Sequence, residues 1–167
     1  MKILGIDPSL SCSGWAIVEK NHNSSFSYVS SGVVKTNSKE SIYNRLAKIK
    51  NDFDSVYKAF SPDKIIIEMG FVMANQASSL KLAVARGVII ASTTDYILQN
   101  FYAEKINYDS FIFEVTPTFV KKSITGSGVA DKIQLDKMIR LIIQNIPNQA
   151  FQSSDESDAI AIAISLN

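Results

Sequence analysis

Four carboxylates in three places could do chemistry together: Asp7, Glu68, Asp155 and Asp158. Asp7 ends the apolar run KILGID, and Glu68 lies near the end of another, KIIIEMG. Asp155 and Asp158 open the stretch SDESDAIAIAI, at i and i+3, which puts them on one face of a helix. An acid at the end of a buried strand is costly to desolvate unless something compensates it. Uncompensated, four such groups repel one another and their pKa values rise. A hard cation resolves this, because Mg²⁺ and Mn²⁺ prefer oxygen ligands. Two such ions about 4 Å apart can activate a water and stabilise the leaving oxygen of an in-line phosphoryl displacement. Taken alone, Asp155 and Asp158 read as a cap and an exposed acid; the four acids together point to metal-dependent phosphate chemistry.

The elements that must carry these acids can be traced along the chain. Residues 2–7, 14–20 and 26–35 read as three consecutive strands of an antiparallel meander. Asn37 and Glu40 read as the cap of a helix whose apolar residues, Ile42 to Phe60, keep helical spacing until Pro62. The β-branched run 64–69 predicts a buried parallel strand, followed by an Ala-rich helix from about Ala77 to Gln99. Residues 110–115 predict a fifth strand, and Thr116-Pro117 the cap and first turn of a short helix. Residues 131–145 and 154–166 predict two more helices, the last with Ser153 and Glu156 as a capping box. This order gives an α/β fold with a five-stranded sheet, antiparallel first and parallel after, flanked by helices in one domain over 1–167.

Composition narrows the function classes. The chain has 167 residues, 46% hydrophobic and 20% charged, with a formal net charge of +1. No apolar run reaches the ~18 residues of a membrane span, and the chain enters a strand directly, so neither membrane nor signal peptide is expected. The only cysteine is Cys12 and the only histidine is His22, which leaves no material for a disulfide or a Cys/His zinc site. His22, in EKNHNSSFS, reads as a solvated turn residue, and a reducing cytoplasm is the expected setting. Cations gather in residues 35–50 (Lys35, Lys39, Arg45, Lys48, Lys50) and 119–140, as basic surface flanking an acidic site would require.

The segments ILGIDPSLSCSGWAIVE, IIIEMGF, SLKLAVARGV, VKKSITGSGVADK and DESDAIAIAI resemble, in order and spacing, the RuvC-type Holliday-junction resolvases. The resemblance covers nearly the whole chain. It implies an RNase H-like fold and a homodimer that uses Mg²⁺, two ions per site with Mn²⁺ able to substitute. The implied activity is paired symmetrical nicking of four-way DNA junctions, leaving 5′-phosphate and 3′-hydroxyl ends, with three-way and forked DNA as further substrates.

The resemblance puts the family's acidic tetrad on Asp7, Glu68, Asp155 and Asp158. It puts the base-stacking aromatic on Phe71, and the lysines beside the scissile phosphate on Lys121 and Lys132. Phe71 reads equally as an exposed stacking ring or a core residue, and the two lysines, read without the family, as solvated side chains. The corresponding long helix in the family is a dimer element; its apolar residues here cover more than one face, which also suits a core helix. Two departures, Ser9 after Asp-Pro and Met69-Gly70 after the acid of the fourth strand, bear on sequence preference, and the lack of a basic tail fits a compact bacterial or bacteriophage relative. A branch-migration motor is left open as a partner. The alternatives are an RNase H-like nuclease acting on RNA or RNA–DNA hybrids, and a junction-binding protein that does not cut.

Overall fold

The computed structural model describes residues 1–70, 75–101, 106–147 and 153–166. Strands β1 (Lys2–Asp7), β2 (Cys12–Lys20) and β3 (Phe26–Lys35) form the expected antiparallel meander. Strand β4 (Lys64–Glu68) pairs parallel to β1, and β5 (Ile112–Val115) pairs parallel to β4. The helices are α1 (Ile42–Phe60), α2 (Gln76–Asn100), α3 (Pro117–Thr125), α4 (Lys132–Ile142) and α5 (Ser154–Ile164). With the short strand β6 (Ile143–Gln144), the sheet has six strands among the described residues, in the order β5-β4-β1-β2-β3-β6.

The sixth strand corrects the sequence reading. Ile143 and Gln144, expected within the helix 131–145, form β6 and pair parallel to Phe26 and Ser27 at the edge of β3. Ile143 continues the apolar spacing of α4, so nothing local marks the change. Its pairing with β3 and its burial decide it. A second correction concerns α1, whose cap is Ser41, accepting from the Asn44 amide, and not Asn37. The remaining caps match expectation: Thr116 accepts from Phe119 N, and Ser153 from Glu156 N. Glu156 does not complete a capping box; its carboxylate accepts from Ser31 on β3 instead.

Side-chain alternation along each strand builds two cores. On one face Leu4, Ile6, Ile65 and Ile67 pack with Ile49 and Phe53 of α1 and Ile89 of α2. On the other, Ile3, Ala16, Val18 and Ile66 pack with α3, α4 and the continuous buried run Ala159–Ile164 of α5. The parity matters for the acids. Ile3, Gly5 and Asp7 share a face, as do Ile66 and Glu68, so both strand-borne acids belong to the α5 side.

Candidate active site

The register Ile6↔Ile67 brings Asp7 and Glu68 level at the ends of neighbouring parallel strands. Helix α5 crosses β1 and β2 at very short range because two glycines permit it. A Cβ on Gly5 would stand 2.2 Å from the Ala159 carbonyl, and one on Gly14 only 2.0 Å from the Asp155 carbonyl. Asp7 and Gly14 are themselves register partners. The close crossing therefore delivers the first turns of α5, with Asp155 and Asp158, to the strand ends that carry the other acids.

Asp7, Glu68 and Asp158 line one cavity of about 260 Å³ together with Lys121 of α3 and Lys132 of α4. The sequence assigned both lysines only through the resemblance; the packing of α3 and α4 brings them to the carboxylates. Lys132 Nζ donates to Asp158 at 3.1 Å, with both side chains partly exposed. Such an exposed pair is worth at most about 1 kcal/mol, so the ammonium can re-partner with a phosphate at little cost. Gly126, at φ 79°, closes α3 as a left-handed cap and returns its N–H to the Lys122 carbonyl. Gly126 thus ends the helix, and the cationic groups beside the carboxylates are the lysines themselves.

Asp155 does not line this cavity. It sits in the first turn of α5, where burial and its nearby carboxylate together push the Cys12 thiol up, and its charge reaches Asp7 and Asp158. Burial, reinforced by Glu68, Asp158 and Asp155, pushes the Asp7 carboxyl up from 3.8 to about 8, with Lys132 opposing. Burial and Asp158 push Glu68 up to about 7, with Lys121 opposing. Asp158 is raised as well, mainly by burial. The donor set therefore fits a hard divalent cation in its chemistry: oxygen-only, partly buried and mutually repelling. Among the described residues, no three acids are gathered tightly enough to hold one ion as they stand.

A second, larger cleft of about 600 Å³ shares Asp7 and Glu68 and is walled by Ser9, Leu10, Met69 and Leu82, with Lys81 of α2 on its rim. Lys81 is a cation the sequence reading did not single out; only the path of α2 over the strand ends reveals it. Phe71 lies outside the described residues.

Three of the five cations in the basic stretch 35–50 are already engaged within the chain. Lys48 and Lys50 are paired with Asp52 and Asp54 on α1. Arg45 is only 8% exposed, and its guanidinium donates to Thr36 Oγ1 at 2.9 Å, the Leu10 carbonyl at 3.2 Å and Ser11 Oγ at 3.4 Å. Ser13 Oγ donates to the Ser9 carbonyl at 2.6 Å and accepts the Ser9 amide at 2.9 Å. The loop that follows Asp7 is thereby held from inside. Arg45→Ala strips a buried carbonyl of a charged donor and should lower unfolding free energy by about 2–3 kcal/mol. Arg45→Lys should recover only part of this, because an ammonium lacks the planar fork. Urea unfolding of the two variants checks both statements; equal stability of Arg45→Ala and wild type would remove the anchoring role.

Comparison with known proteins gives concordant results. A family model for "Crossover junction endodeoxyribonuclease RuvC" matches residues 3–166. Proteins of that name from Rickettsia felis and Rickettsia africae are each 40% identical over 163 residues, 98% of this chain and 95% and 94% of theirs. The solved structure of T. thermophilus RuvC in complex with a Holliday junction substrate superposes with a TM-score of 0.82 at 23% identity, covering 99% of this chain and 92% of that one. The yeast mitochondrial Holliday junction resolvase Ydc2 follows at 0.67 and 14% identity, covering 98% and 76%.

Proposed function

Because the chain belongs to the crossover junction endodeoxyribonuclease RuvC family, we propose that it is a structure-selective DNA endonuclease resolving four-way junctions by paired symmetrical nicks. It acts as one domain over residues 1–167, in the cytoplasm, as a homodimer using two Mg²⁺ per site, with Mn²⁺ able to substitute. The observation that carries this reading is a single cavity lined by Asp7, Glu68 and Asp158 together with Lys121 and Lys132.

The four carboxylates are the metal-ligating and catalytic groups of this proposal. When bound, the ions supply a nucleophilic water and stabilise the departing 3′ oxygen. Asp7 and Glu68 must give up their protons for this, and Lys121 and Lys132 draw in the scissile phosphodiester and offset its charge. Phe71, the position the resemblance gives to the base-stacking aromatic, stacks on a base at the crossover. Helix α2 supports the dimer reading: Leu80 and Val84 are 67% and 44% exposed, and a Cβ on Gly87 would meet nothing within 4 Å, so an apolar strip is left uncovered among the described residues.

A panel of labelled four-way, three-way and forked DNAs and an RNA–DNA hybrid, incubated with Mg²⁺ or Mn²⁺, tests the reading. Symmetrical cuts in the four-way junction are expected; preferential cutting of the hybrid would favour a ribonuclease, and tight junction binding without cuts a purely binding role. In the same assay Lys121→Ala should weaken junction binding and reduce the slope of log affinity against log salt by about one. An unchanged slope would remove Lys121 from the phosphate contacts.

A further inference from the structure

Three successive residues near the start of α5 each reach a different neighbour. Glu156 accepts from Ser31 of β3 at 3.2 Å. Ser157, only 1% exposed, donates its hydroxyl to the carboxylate of Asp136 on α4. Asp158 accepts from Lys132 of the same helix at 3.1 Å. The two bonds to α4 differ in kind. Lys132 and Asp158 are partly exposed and line the cavity, and the proposed reaction gives both other partners, a phosphate for the lysine and a metal ion for the acid. Asp136 and Ser157 do not line the cavity. Theirs is a charge-assisted bond to a buried hydroxyl, which persists when the ion pair beside it opens.

Helix α5 is fixed in place, buried from Ala159 to Ile164 and pressed against Gly5 and Gly14. The start of α4 is tied down far less: Lys132, Ile133 and Gln134 are all exposed, and Leu135 is the first residue of the helix to be buried. Lys132 and Asp136 stand at i and i+4, on one face of α4. A lysine carries its charge on a flexible four-carbon stem, so where the ammonium can reach depends on where its helix stands. We propose that Asp136 and Ser157 are positioning residues of the nuclease site: their bond holds the start of α4 against α5, so that Lys132 stays over the cavity once its ion pair with Asp158 has opened. This rests on the nuclease reading and on the place of Lys132 in it.

The test is a double-mutant cycle between Ser157→Ala and Lys132→Ala, read as cutting of a labelled four-way junction in Mg²⁺ and, in chelator, as junction affinity by fluorescence anisotropy. Ser157→Ala alone should lower kcat/KM roughly tenfold and weaken metal-free binding. In the Lys132→Ala background it should change cutting by less than about twofold and binding not at all, because the group it positions is gone. Asp136→Ala should behave as Ser157→Ala does, and Asp136→Asn, whose amide oxygen still accepts the hydroxyl, should restore most of the loss. Alanine suits a helix interior, so Ser157→Ala carries the cycle even if Asp136→Ala does not fold. Additive losses in the double variant, no rescue by Asp136→Asn, or wild-type cutting by Ser157→Ala would each overturn the proposal. A wild-type chain that cuts no junction would overturn the nuclease reading and this proposal with it, a result distinct from additivity in a chain that cuts.

Discussion

Asp7→Asn is expected to reduce junction cutting in Mg²⁺ by on the order of 10³-fold or more, since several kcal/mol of charge stabilisation rest on the metal site. Junction binding should be retained or tightened, because a negative charge beside the phosphates is gone. The same substitution should stabilise the metal-free protein at alkaline pH. Asp7 holds its proton to about pH 8 when folded, against an ordinary value of 3.8. Between these values the folded state binds more protons than the unfolded one, so stability falls as pH rises through the window and levels off above it. Glu68, raised from 4.5 to about 7, adds to the fall over its own window. Asn cannot ionise, so the variant should show a shallower pH dependence and a higher Tm than wild type at pH 8.5 in chelator. Wild-type cutting would remove Asp7 from the metal site, and an unchanged pH dependence of Tm would contradict the burial-driven shift.

Gly5→Ala and Gly14→Ala should be the most damaging single-methyl additions in the molecule. Each new Cβ would meet α5 backbone, at 2.2 Å from the Ala159 carbonyl for Gly5 and 2.0 Å from the Asp155 carbonyl for Gly14. Backbone cannot swing aside as a side chain does, so the helix must shift bodily and carry Asp155 and Asp158 away from Asp7. A loss of about 3 kcal/mol or more is expected, seen as a fall in Tm of roughly 6–12 °C for a chain of this size. Cutting should fall further than the unfolded fraction explains. If the folded Gly14→Ala protein cut at the wild-type rate, the close crossing of α5 would not be what sets the acids.

Much of this was legible along the chain because it rests on local physics. A β-branched run that ends in an acid fixes both the strand and the face on which the acid lies, since side chains alternate with period two. Caps are legible for the same reason: Thr116-Pro117 and Ser153 supply oxygen or φ at the position where a helix needs it. Where two local solutions compete, the sequence misleads. Asn37 and Ser41 are both good caps; Asn37 accepts from the Lys39 amide in the turn before the helix, and Ser41 caps the helix itself. The run AIAIAI alternates as a strand would, but there the Ser153 cap rightly marked a helix: α5 is buried along Ala159–Ile164, and its small residues let it lie against Gly5.

Charge was the least legible property. Arg45, Lys48 and Lys50 counted as basic surface along the chain, but one is buried in a loop-anchoring network and two are neutralised by acids one helical turn on. Lys81, which drew no notice in sequence, stands on the rim of the cleft beside Asp7 and Glu68. The sequence by itself determined which acids sit at strand ends, which faces they take and, by resemblance, the family. Tertiary structure alone decided that three of the four acids share a cavity with two lysines, that Asp155 stands beside it against Cys12, and that a sixth strand closes the edge. The physical reason is range: alternation, capping and spacing act over a few residues, whereas burial, ion pairing and close helix–sheet approach join residues far apart in the chain.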